Sequence, residues 1–260
     1  MSYSYHGKTY RNLFELGKDI YLFQDSFSKD LKNDASFQEK IKSEDENKYL
    51  RLKKLFRMSF PDSILSFRAS LILNPYIEFS YRGLRFHSDK ELGEYLLRKA
   101  PEADPIGLEI IHYNLLSLYM LFTHVATTDH EKYETICGIE KLAENDINYS
   151  YFVLALYLSR RKTFRYDGKE YKDIYSLLYY LKKEKKDEAL LANELRHSPY
   201  LKAYGRFSKD KEGVESFLHL NREYDRSEEK LSAFLKKREE SIKKAKESIQ
   251  NGNLKEEHTP

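Results

Sequence analysis

Two short segments carry residues that could bind metal. Glu109-Ile-Ile-His112 and Glu194-Leu-Arg-His197 repeat one spacing, Glu-x-x-His, 85 residues apart. On a helix, residues i and i+3 project to the same side. In di-metal carboxylate bundles two such pairs and two further glutamates surround the ions. Here no first-copy counterpart exists, the further glutamates are not identifiable, and Ser198-Pro199 resembles a helix start directly after His197. The competing reading makes Glu and His consensus positions that close a turn or a buried hydrogen bond.

Other chemistry-bearing residues are sparse. His124 and His130 stand near Cys137, without a zinc spacing such as Cys-x-x-Cys. The lone Cys137 excludes an internal disulfide and reads as a small buried residue in a reducing compartment. Phosphate-loop, dinucleotide-binding and nucleophile-elbow motifs are absent. Basic clusters occur at Arg51/Lys53/Lys54/Arg57, at Arg160/Arg161/Lys162, at Lys182/Lys183/Lys185/Lys186 and at Lys236/Lys237/Arg238/Lys243/Lys244/Lys246. Beside aromatic residues such clusters could hold nucleic acid. The formal charge of only +3, from 45 basic and 42 acidic residues, favours solvated helix faces instead.

The elements that would position these residues come from a signature that occurs three times. It begins at Tyr3, Phe79 and Phe164 and reads aromatic-x-Tyr-x-Gly-x-x-aromatic-x-(Asn/Ser/Asp)-x-x-(Glu/Ser)-Leu. Its glycines are Gly7, Gly83 and Gly168. Asp167-Gly168 between aromatic segments predicts a type I′ hairpin, with Tyr166 opposite Lys169 and Phe164 opposite Tyr171. Asn12, Ser88 and Asp173 then suit helix N-caps, and Glu15 and Glu91 complete apparent capping boxes. Leu16, Leu92 and Leu177 anchor the following helices on the hairpins.

Further helices follow from the same signals. Ser43/Glu46 and Thr128/Glu131 resemble capping boxes, Asp146 suits a cap, and the apolar stretch Leu108 to Ala126 reads as one buried helix rather than a membrane span. Copies two and three stay in step at an offset of 85. Phe67, Leu71 and Leu73 fall on Phe152, Leu156 and Leu158; Leu116, Tyr119 and Phe122 fall on Leu201, Tyr204 and Phe207. The first copy is shorter, with the deficit in the charged region near residues 24–50.

The expected fold is therefore α+β and predominantly helical: three tandem β-hairpin–helix repeat units with helical linkers and a C-terminal charged amphipathic helix. The boundaries are 1–78, 79–163 and 164–226 for the units, 227–250 for the heptad helix and 251–260 for a flexible tail. On that last helix Leu231, Leu235, Ile242 and Ile249 form a heptad seam, interrupted by Arg238. These are the candidate partner-binding residues, docking on the last unit or pairing two chains as a homodimer.

The functional expectation is a non-catalytic protein-interaction or scaffold module, one component of a larger assembly, in the cytoplasm. No cofactor and no membrane partner are expected, and another protein is the expected partner. A nucleic-acid-binding accessory protein and a di-metal carboxylate enzyme are the alternatives. Function is expected where the copies differ: the turn residues His6, Arg82 and Asp167, the short first unit and the terminal helix.

Overall fold

The computed structural model describes residues 2–99, 101–184, 186, 191–192, 195–208, 212–215, 217, 236 and 240. The predicted heptad seam, Leu231, Leu235, Ile242 and Ile249, lies outside the described residues, as does the 251–260 tail.

Each signature forms an antiparallel hairpin. The strands are β1 (Tyr3–Tyr5) with β2 (Lys8–Tyr10), β3 (Phe79–Tyr81) with β4 (Leu84–Phe86), and β5 (Phe164–Tyr166) with β6 (Lys169–Tyr171). The register is that expected: Phe164 faces Tyr171 and Tyr166 faces Lys169, with Tyr3/Tyr10 and Phe79/Phe86 equivalent. Both central turn residues have positive φ, 46° and 75° at His6-Gly7, 45° and 77° at Arg82-Gly83, 49° and 70° at Asp167-Gly168. That is the type I′ geometry.

A capped helix follows each hairpin: α1 (Leu13–Asp19) after the first, α6 (Asp89–Arg98) after the second and α12 (Ile174–Lys183) after the third. Asn12, Ser88 and Asp173 accept from the backbone N–H of Glu15, Glu91 and Ser176 at 2.9, 3.2 and 2.7 Å. The reciprocal half of the capping box differs from expectation. Glu15 and Glu91 accept from Arg11 and His87 N–H, both at 2.8 Å, one residue before the cap. The chain leaves the hairpin extended, which exposes that earlier N–H to the carboxylate.

The first linker consists of α2 (Phe27–Asn33), α3 (Ala35–Glu44), α4 (Glu46–Leu55) and α5 (Asp62–Leu73). The second consists of α7 (Pro105–His112), α8 (Leu115–Phe122), α9 (Val125–Thr128), α10 (His130–Lys141) and α11 (Ile147–Ser159). After α12 comes α13 (Pro199–Phe207).

Three further features depart from the sequence expectation. Asp45, not Ser43, caps α4, accepting from Lys48 N–H at 2.9 Å, because Ser43 is still inside α3. Asp129, not Thr128, caps α10 for the same reason, Thr128 being the last residue of α9. The apolar stretch 108–126 is not one helix. It breaks at Asn114 (φ 53°) and His124 (φ 62°), with a 60° bend between α7 and α8. Asn and His are among the side chains that enter the left-handed region most readily. Asp146 caps α11 as expected, accepting from Tyr149 N–H at 2.9 Å. Among the described residues no single helix is long and apolar enough to cross a membrane; α7 and α8 together pass only as a bent pair, by length and composition.

The chain divides into two compact units, Met1–Arg161 and Lys162–Pro260. In the first, a core of Tyr3, Leu13, Leu16, Phe27, Ile41 and Leu65 joins hairpin and helices. α6 lies against α11 at the backbone level, and Gly93 makes that possible. An added Cβ there would stand 2.3 Å from Ser159 N and 2.9 Å from Ala155 O. Gly17 plays a milder version of the role between α1 and α5, where a Cβ would meet Asn74 Cβ at 2.9 Å. Both glycines lie ten residues after the turn glycine; Leu178 holds that place in α12.

Side-chain contacts also recur at the 85-residue offset. Tyr119 packs edge-on against Phe79, with ring centroids 5.4 Å apart, and donates to the Ile77 carbonyl at 3.0 Å. Within the second unit Tyr204 packs edge-on against Phe164 at 5.0 Å and donates to the Lys162 carbonyl at 3.3 Å.

Candidate functional site

The carboxylate of the first Glu-x-x-His pair is engaged by the second hairpin. Tyr81 is fully buried, and its hydroxyl donates to Glu109 Oε2 at 2.6 Å and lies 3.2 Å from Ser63 Oγ. Arg82, in the left-handed turn, brings Nε within 3.2 Å of the same oxygen as an ion pair. Burial first, and then the adjacent Glu109 carboxylate, push the Tyr81 phenol well above its ordinary range. It therefore stays a neutral donor. His112 is exposed and stands edge-on to Tyr113, ring centroids 4.7 Å apart. The pair thus splits between a hairpin bond and solvent.

Of the second pair only His197 is described. Glu194 lies outside the described residues; His197 is an exposed turn residue directly before Ser198, whose Oγ accepts from Leu201 N–H at 3.4 Å to cap α13. Cys137 is half-buried in α10, and its thiol raises the pKa of neighbouring Tyr133 through a hydrogen bond. His124 precedes α9, and His130 opens α10 stacked on Tyr133. Among the described residues no group of three or more His, Cys, Asp or Glu is placed to hold a metal ion.

Two further acids, neither marked by any sequence motif, are buried. Asp104, 2 % exposed, accepts from Tyr95 at 3.0 Å and from Tyr151 at 2.7 Å. Glu140, 3 % exposed, accepts from Leu116 and Ser117 N–H at 3.2 and 3.3 Å, at the start of α8. Its other oxygen, Oε2, meets no partner among the described residues. Burial outweighs those two bonds and pushes the Glu140 carboxyl up to about 7.

Two clefts among the described residues of the first unit are lined by both aromatic and charged side chains. One, of about 290 Å³, lies beside the second hairpin and α6, α8 and α10. Its charges are matched: His87 Nδ1 is 3.0 Å from Glu78 Oε1, and Lys132 bonds Asp89. The His87–Glu78 bond raises the imidazole pKa and lowers that of the carboxyl.

The other cleft, of about 180 Å³, lies between α2, α3 and α4. Leu31, Ile41 and Leu52, all buried, make the floor. Tyr49 and Phe56 are half-buried walls, and Lys32, Lys53 and Arg57 form an exposed rim. Lys32 Nζ sits 5.6 Å from the Phe56 ring centre and Lys53 Nζ 6.0 Å from that of Tyr49, within cation–π range. Gln38 Nε2 donates to the Leu31 and Lys32 carbonyls at 2.9 and 3.1 Å, satisfying the open end of α2. Among the described residues no carboxylate lines this cleft.

Of the basic clusters read from sequence, the one holding Lys53 and Arg57 lines this cleft. Arg161 is ion-paired with Glu94, and Lys182 and Lys183 are exposed in the last turn of α12. Lys32 escaped the sequence reading because only the folding of α2, α3 and α4 around one cleft brings it to the rim. The rings proposed for base stacking are mostly buried, Tyr3, Phe79, Tyr81 and Phe164 to 5 % exposure or less. Comparison with protein-family models, with curated proteins and with solved structures found no match.

Proposed function

We propose that this chain is a non-catalytic protein-interaction module, built as a tandem array of hairpin–helix units, that meets a protein partner through the α2–α3–α4 cleft. The observation that carries the reading is the contrast between its polar groups. Tyr81, Glu109, Tyr95, Tyr151 and Asp104 bond one another inside the fold. Lys32, Lys53 and Arg57 instead surround an apolar depression with no acid among its lining residues. That depression lies in the short first unit, one of the places where the three copies differ. The tandem-array part rests on the shared register and caps, and on the Phe79–Tyr119 and Phe164–Tyr204 contacts at one spacing.

The test is recovery of the tagged full chain from its native extract. A stoichiometric complex is expected, and it should weaken for the Lys53→Glu/Arg57→Glu variant. Repeated recovery of the bare monomer would overturn the reading.

A further inference from the structure

We infer that the α2–α3–α4 cleft seats one apolar side chain of an acidic peptide segment, its flanking carboxylates meeting Lys32, Lys53 and Arg57. The inference rests on the interaction-module reading and names the chemistry of the partner.

Size sets the first limit. An apolar cavity of roughly 150 Å³ accepts benzene, so about 180 Å³ suits a single ring or a branched aliphatic side chain. The floor sets the second. Leu31, Ile41 and Leu52 offer no polar atom from their side chains, and the carbonyls at the end of α2 are already taken by Gln38. An apolar group entering there strands nothing. A nucleobase would place its polar edges against that floor without partners, at a desolvation cost.

The rim sets the third limit. Three cations spread around one opening ask for more than one anionic group, which a single small carboxylate does not supply. Charge matching elsewhere in the same unit makes the contrast sharp: the cleft at the second hairpin pairs His87 with Glu78 and Lys132 with Asp89. Lys32 and Lys53 are held near the walls by Phe56 and Tyr49, so their ammonium groups already stand at the edge of the opening. An acidic segment with one buried anchor fits all three limits, the anchor giving affinity and the rim giving orientation and encounter rate.

The experiment is fluorescence anisotropy on the full chain, with a labelled peptide carrying one phenylalanine between runs of aspartate. Saturable binding is expected. Replacing the phenylalanine by alanine should weaken it by roughly tenfold to a hundredfold, the worth of a buried ring. Lys53→Glu/Arg57→Glu, which alters only exposed positions, should weaken it at least as much, and added salt should weaken it further. Equal binding of the alanine peptide would overturn the proposal, because the floor would then be idle. So would tighter binding of a thymidine oligonucleotide of equal charge, which would make the rim a phosphate surface. Absence of any saturable binding also overturns it. If the extract complex forms while the peptide fails, this inference falls alone; if no complex forms, the interaction reading falls.

Discussion

Gly93→Ala should weaken the fold although alanine is the better helix former. The added Cβ would stand 2.3 Å from Ser159 N, 2.8 Å from Leu158 C and 2.9 Å from Ala155 O. All three are backbone atoms of α11, so no side-chain rotation relieves the contact. The shortest of them is about 1 Å inside ordinary contact, and gaps of that size elsewhere along the pair forfeit a quarter to a half of each lost dispersion contact. Overpacking of this kind costs about 1–3 kcal/mol, with a backbone clash toward the upper end. Helix propensity returns about 1 kcal/mol, leaving a net loss of roughly 2 kcal/mol. Gly138, exposed in α10, has no neighbour within 4 Å of its added Cβ. Gly138→Ala should therefore stabilise, by up to about 1 kcal/mol. Gly17→Ala should fall between them, because its nearest contact is the Asn74 side chain. Urea unfolding followed by helical circular dichroism reads all three, as midpoint shifts at constant slope. If Gly93→Ala and Gly138→Ala shift in the same direction, the close approach of α6 and α11 is not what selects glycine.

Two further predictions concern the buried acids. The Glu140 carboxyl is raised from 4.5 to about 7 in the fold, so the folded chain binds its proton more tightly than the unfolded chain. Its contribution is fully present below about pH 4.5 and is lost as pH rises through about 7. Glu140→Gln should remove that slope, gaining up to about 3 kcal/mol on the native chain between pH 5 and 8; parallel pH–stability curves for the two proteins would refute the assignment. Tyr151→Phe deletes the donor to Asp104 and to the Leu96 carbonyl and should cost roughly 1–3 kcal/mol. An unchanged thermal midpoint would mean that Tyr95 alone satisfies Asp104.

The residue order by itself determined the hairpins, their register, the positive-φ turns and the caps at Asn12, Ser88, Asp173 and Asp146. In each case the donor and acceptor lie within a few residues of one another, so local chemistry leaves one solution. The misplaced caps show the limit of that logic. Asp45 and Asp129 displaced Ser43 and Thr128 because α3 and α9 run on through those residues, and helix length depends on what the helix packs against. Only tertiary structure decided the rest. Glu109 became the acceptor for Tyr81 through a contact 28 residues long, and His112 was left to solvent. The breaks at Asn114 and His124 cost little locally and follow the surface that α8 must cover. Gly17 and Gly93 share one place after the turn glycine, yet what excludes a side chain there is a distant helix. The basic cleft joins Lys32 of α2 to Lys53 and Arg57 beyond α3, and no local rule links them. Turns and caps are written in neighbouring atoms; a site written in packing exists only once the helices have met.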